Sequence, residues 1–283
     1  MGPFRVDFFG FGRIKRLRIS VSLLMLSPLA PGLNVVGGRR RTAVYDMTKF
    51  TLRDMTSCGT VLRTLGDGAQ SLEEVAERIV HYLYDHLLNG QTGERACALV
   101  RLYKTHPFGR LNDDLQRFAL RILRGQPESP SMRCLTLIAS VGEQPEWNAT
   151  ETSVGHQAIP LPSPEIVSQV PMIANLIKQF GLEIDTVLTP DPHFLMELEQ
   201  RTYNVFHVPQ AVGSSHIPAQ QEFVIPFGIH SVLGFGGMLP SGNLFVVILF
   251  SKVFIPRETA DLFKPLSLSV KLTVLPFEEP SLA

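Results

Sequence analysis

Eight histidines and three cysteines are the side chains that could bind a metal, relay a proton or attack an electrophile. Their spacing argues against most of that chemistry. His106, His156, His193, His207, His216 and His230 are scattered, and none belongs to an H-x-x-x-H pair that would set two imidazoles on one helix face. His81 and His86 stand five apart, so they fall on different faces of a helix. Folding could still gather His207, His216 and His230 around a haem or a metal; the plainer reading is ordinary polar or half-buried histidines. Cys58, Cys97 and Cys134 form no C-x-x-C pair and no Cys/His cluster of zinc spacing. Few, odd in number and far apart, they fit a reducing compartment. Gly234-Phe-Gly-Gly237 lacks both the G-x-G-x-x-G spacing and the Lys-Ser of a phosphate loop, and reads as turn or close-approach glycines. Ser153 beside Gly155-His156-Gln157 has no G-x-S-x-G elbow around it. The expectation is therefore no catalytic residue and no metal ligand, with the cofactor left open.

Binding is the chemistry that remains. Tyr203-Asn-Val-Phe206-His207-Val-Pro209 is the densest aromatic and polar cluster outside the strands. Aromatic walls with a few polar groups are what a small-molecule pocket needs. Tyr203, Phe206, His207 and Phe235 are thus the ligand-pocket candidates. The competing reading has Phe206 plugging the core while Tyr203 and His207 satisfy loop carbonyls.

Helices and strands must position these residues. Ser71 and Glu74 make a capping box ahead of Leu72, Val75, Ala76, Ile79, Val80, Leu83 and Leu87, the stripe of an amphipathic helix that stops at Asn89-Gly90. An earlier helix is expected over Leu52–Leu65. Ala96–Thr105 is a short apolar run suited to a central strand. Asn112 or Asp113 caps a helix through Leu123, and Met132–Val141 forms a second strand ending at Gly142. From Glu143 to Gln221 the chain is irregular and proline-rich, with helices expected near Ser163–Phe180 and Pro192–Val205. So long an excursion points to function. Ser231–Phe235 and Leu244–Val253 are strands joined by a Leu239-Pro-Ser-Gly242 turn. A helix over Arg257–Leu275 comes last, which Pro265 must kink or split.

Composition sets the outer limits. The 283 residues hold 26 Lys and Arg against 26 Asp and Glu, so the net charge is zero, and 45% of the chain is hydrophobic. That composition supplies a core, and long-range attraction to nucleic acid or an anionic membrane is not expected. Residues 1–46 differ: basic clusters flank the apolar run Ile19–Pro31, which Pro28 and Pro31 interrupt. The stretch is read as a disordered leader or an overextended start, with a secretory signal as the competing reading. The run is too short to span a bilayer. The expected organisation is a leader over 1–46, one domain over 47–277 and a tail over 278–283.

The order of elements resembles a GAF domain. The residues that carry the likeness are Ile225-Pro226, the Ser231-Val-Leu-Gly-Phe-Gly-Gly strand, the Pro240-Ser-Gly turn, the Leu244–Ser251 strand and the closing Thr259–Leu275 helix. The likeness spans residues 70–277, with 143–221 departing from the usual middle segment as a long helical and irregular insertion. It implies an α/β (α+β) fold of GAF/PAS type, a twisted antiparallel sheet with helices on one face. On the other face it implies a ligand or partner pocket roofed by the middle segment. The stretch from Ala96 to Phe277 is also similar to sensory regions found ahead of kinase or cyclase outputs in bacterial signalling proteins. The resemblance further implies terminal helices that lie together, pair in dimers and signal to an attached output domain. With Ala283 a few residues past the closing helix, the output is expected on another protein or the module is free-standing or degraded, and the chain after residue 46 reads as cytoplasmic. Some GAF-like proteins are thiol-based sulfoxide reductases, which would make Cys97 and Cys134 the residues of interest; they lack that group's compact cluster. A purely structural dimerisation module is the further alternative.

Overall fold

The computed structural model describes residues 43–150, 156–191 and 203–278. In chain order these form β1 (Tyr45–Asp46), α1 (Leu52–Thr64), α2 (Leu72–His86), β2 (Leu87–Leu88), β3 (Cys97–Pro107), α3 (Asp113–Leu123) and β4 (Arg133–Gly142). The middle segment contributes β5 (Ala158–Leu161), α4 (Pro164–Ser168), α5 (Pro171–Gln179), α6 (Ile184–Leu188) and β6 (Asn204–Val208). Then come β7 (Ser231–Met238), β8 (Leu244–Ser251), α7 (Arg257–Asp261) and α8 (Lys264–Val274). The molecule is a mixed α/β fold built on one six-stranded antiparallel sheet, ordered β5-β4-β3-β8-β7-β6, with helices flanking it.

Local chemistry explains the boundaries. Thr51 and Asp54 form a complete capping box at α1. At α2 only half of the expected box is made: Ser71 Oγ accepts from Glu74 N, while the Glu74 carboxylate turns to Gln70 N and Arg78. Asn112 Oδ1 caps α3. Helix α2 ends at His86, ahead of Asn89-Gly90, because Leu87–Leu88 pair in parallel with Tyr45–Asp46. Tyr45 is buried, so the packed body takes in residues just ahead of the composition break at Met47. Pro265 sits in the first turn of α8, where its missing N–H costs nothing, and the expected break between α7 and α8 falls there.

The middle segment holds more sheet than its sequence suggested, for β5 and β6 are the two edges. Most of the helix expected over Pro192–Val205 lies outside the described residues. Its last residues, Asn204 and Val205, are strand instead, because Val205, Phe206 and Val208 continue the β pairing against β7. Gly234 faces Phe206 across this pair, and a Cβ there would stand 3.3 Å from the Phe206 Cβ.

The sheet buries both faces. One carries α1, α2 and α8, with Cys58, Leu62, Ile79, Leu83, Phe263 and Val270 against Val100, Leu102, Val247 and Leu249. Gly59 lets α1 approach α8 closely, since a Cβ would lie 2.9 Å from Ser269 Oγ. Thr273 Oγ1 donates to Leu62 O at 2.9 Å and Arg63 Nη1 to Ser269 Oγ at 3.1 Å across the same seam. The other face carries α4, α5 and α6 and the Gln220–Val224 turn, with Phe180, Phe223 and Trp147 against Leu99, Tyr103, Val246 and Phe250. Among the described residues no helix is long and apolar enough to cross a membrane.

Candidate functional site

The four aromatic and histidine candidates do not converge. Phe206 is wholly buried beneath the middle segment, whereas Phe235 points through the sheet to the helical face, 5.5 Å from the Phe263 ring centroid. Tyr203 is half-buried under the Lys271 ammonium, which stands 5.5 Å from its ring centroid. His207 Nε2 is 2.9 Å from Ile255 O, and burial holds its pKa below the usual value. Between the sheet and the described middle segment aromatic rings pack together: Phe223 meets Trp147 at 5.5 Å, Phe250 at 5.0 Å and Phe227 at 5.8 Å.

The other sequence candidates also separate. Cys58 and Cys97 belong to the helical-face core and Cys134 to a small cluster under α3. Burial pushes all three thiols up to about 12, so they carry no thiolate at neutral pH. His156 is buried, His216 and His230 are exposed, and His193 and Ser153 lie outside the described residues. Among the described residues no three His, Cys, Asp or Glu side chains stand together as metal ligands.

Convergence occurs instead at one end of the sheet. A cleft of about 790 Å³ opens where the end of β3, the start of β4 and the β7–β8 hairpin meet the start of α2 and the turn after α8. Strand β3 alternates, so Lys104 and His106 emerge on one side of it, and Arg133 enters at the start of β4 opposite Pro107. Arg110 arrives on the short turn after β3, and Ser241 and Asn243 on the β7–β8 hairpin, where Gly242 adopts φ +75°. A second cleft of about 610 Å³ shares His106 and Arg110 and adds Arg117 and Arg121.

A polar chain crosses the floor. Arg133 Nη1 donates to Asn243 Oδ1 at 2.6 Å, and Asn243 Nδ2 donates to Ser241 Oγ at 2.9 Å. Ser241 Oγ donates to one oxygen of Glu278, whose other oxygen pairs with the Lys104 ammonium. Both side chains of that pair are almost wholly buried, at 7% and 6% exposure. His106 Nδ1 is buried and finds no partner at hydrogen-bonding geometry among the described residues. Burial, then the charges of Lys104, Arg133 and Arg110, push this imidazole down to about 3. The cleft is thus walled by Lys104, Arg110 and Arg133 against the acids Glu73 and Glu278, with a neutral histidine at its floor. Fixed cations and hydrogen-bond donors in a recess that strips water are suited to holding an anion.

No family model matches the chain, and no curated protein matches it by sequence. The reading of the cleft therefore rests on its geometry.

Lys104 and Arg133 are charges on strands made largely of apolar residues, but Arg101 is another such charge on β3 and lies outside the cleft, so a strand charge by itself does not single the cleft out. Acid stability should report on the same recess. Folded His106 stays neutral to about pH 3, whereas the unfolded chain takes up that proton near 6.5, so acid favours unfolding between the two values. Its contribution is complete above the unfolded value and is lost toward the folded one, with a slope of up to about 1.4 kcal/mol per pH unit. Urea titrations across that window are expected to show a slope that His106→Gln flattens. Equal slopes in the two proteins would place the acid sensitivity elsewhere.

Proposed function

We propose that this chain is a GAF-like sensory module that binds a small anionic ligand in the basic cleft and acts on a separate output through its terminal helices. The observation that carries this reading is the convergence of Lys104, Arg110, Arg133 and His106 with Ser241 and Asn243 in one recess. The cleft is bounded on one side by Phe277 and Glu278, directly after α8, and α8 packs along α1. A ligand there bears on the same helix pair that the resemblance makes the route to a kinase or cyclase. Its effect is differential affinity: one arrangement of that pair is stabilised over another. The site proposed is the sheet end, in place of Tyr203, Phe206, His207 and Phe235, which do not converge. Leu268 and Leu272, one turn apart on the outer face of α8 and about half exposed, suit the homodimer that the resemblance implies. Phosphorylated and carboxylated metabolites are the compounds such a cleft would meet in a cytoplasm.

Thermal unfolding at low ionic strength, against a panel of phosphate esters, polycarboxylates and uncharged analogues, tests the reading. Stabilisation by anions alone is expected, weakening as salt is added. No stabilisation by any anion, or equal stabilisation by uncharged analogues, would overturn it.

A further inference from the structure

Glu278 places an acidic side chain on the cleft floor, where it occupies two anion-binding groups, an ammonium and a hydroxyl. Through Ser241 and Asn243 it is joined without a break to the Arg133 guanidinium. The carboxylate belongs to the turn Leu275–Phe277 that ends the closing helix, where Glu278 N donates to Leu275 O at 3.1 Å. We propose that Glu278 is a tethered internal anion, which an external oxyanion displaces from Lys104 and Ser241, so that binding releases the turn at the end of α8. This inference rests on the cleft being a ligand site and adds how that site is regulated.

The internal and external anions compete for the same groups. A carboxylate and a phosphate oxygen make the same charge-assisted contacts with an ammonium and a hydroxyl. Around the almost wholly buried Lys104 ammonium two unshielded anions are not held side by side, because their repulsion is little screened there. The incoming anion also meets Arg133, in addition to the ammonium and hydroxyl that Glu278 holds. Two or more negative charges can therefore outcompete a single tethered one, whereas a monoanion gains little by the exchange. When Glu278 leaves, the turn after α8 loses the two polar contacts that tie it to the sheet and to the hairpin, and keeps the packing of Phe277 against the helical-face core. The local hydrogen bond between Glu278 N and Leu275 O then stands without that support.

Inorganic pyrophosphate is the probe. Its affinity is expected to rise by about tenfold in Glu278→Gln, because a tethered competitor acts as a high local concentration of anion. In the unaltered protein, pyrophosphate is expected to speed hydrogen exchange at the Phe277 and Glu278 amides while it slows exchange elsewhere around the cleft. That second measurement does not depend on how well the variant folds. Pyrophosphate binding with unchanged exchange at Phe277 and Glu278 overturns the displacement and leaves the cleft as a ligand site. Absence of pyrophosphate binding to both the unaltered protein and Glu278→Gln overturns both.

Discussion

Replacing Phe223 by alanine is expected to lower folding stability by about 3–5 kcal/mol, the cost of removing a fully buried aromatic ring and leaving a cavity. The ring is wholly enclosed and stands edge-on to Trp147 and Phe250, joining the middle segment to β8. Its neighbours lie on separate elements that cannot all close on the gap. For a domain of this size the loss corresponds to a fall in Tm of about 10 °C. Phe227, only partly buried against the same cluster, should cost clearly less when truncated. Chemical denaturation of the two variants decides the matter. A loss below about 1 kcal/mol for Phe223→Ala would mean that the middle segment is not packed on the sheet. The void created would lie where the resemblance implies a ligand, so the variant also asks whether a pocket can be reopened there.

Arg133→Met is expected to weaken anion binding by about 10- to 100-fold, the loss of one charge-assisted hydrogen bond to the anion. Folding should change little by comparison. The methionine keeps the apolar stem, and the substitution removes a cation whose pKa burial and then Arg110 hold below the usual guanidinium range. Asn243 loses the Arg133 donor but keeps its own bond to Ser241. Calorimetric titration with pyrophosphate against both proteins supplies the test. Equal affinities would remove Arg133 from the site and with it the reading of the cleft.

Legibility in the sequence depended on how closely the informative residues lie along the chain. Helices α2 and α3 were legible because cap and stripe sit within one short window: Ser71 with Val75, Ile79 and Leu83, and Asn112 with Phe118 and Leu123. β3 and β8 were legible because a strand buried on both faces must be mostly apolar. β5 was not, since Ala-Ile-Pro-Leu is four residues long and contains a proline, which only an edge strand accepts. β6 was hidden inside an aromatic run whose alternation looked like a pocket wall. The cleft was illegible as a constellation, because Lys104, Arg133, Asn243 and Glu278 meet only once the sheet is ordered. Phe206 and Phe235 show the converse: close together in strand pairing, they were grouped into one pocket, yet the pleat sends them to opposite faces.

The strand order has a kinetic meaning as well. β3, the first strand of the six-stranded sheet to be synthesised, lies at its centre beside β8, the last, so that Val100 pairs with Leu249. Every ladder between them closes a loop that contains nearly the whole middle of the chain, a costly step that places this protein among slow folders of high contact order. On the ribosome, β3 and β4 can pair early, but one long apolar edge stays open until Leu244–Ser251 emerges. Until then that edge is a template for any other strand, and the interval before the final strand docks is when this chain is most exposed to misassembly.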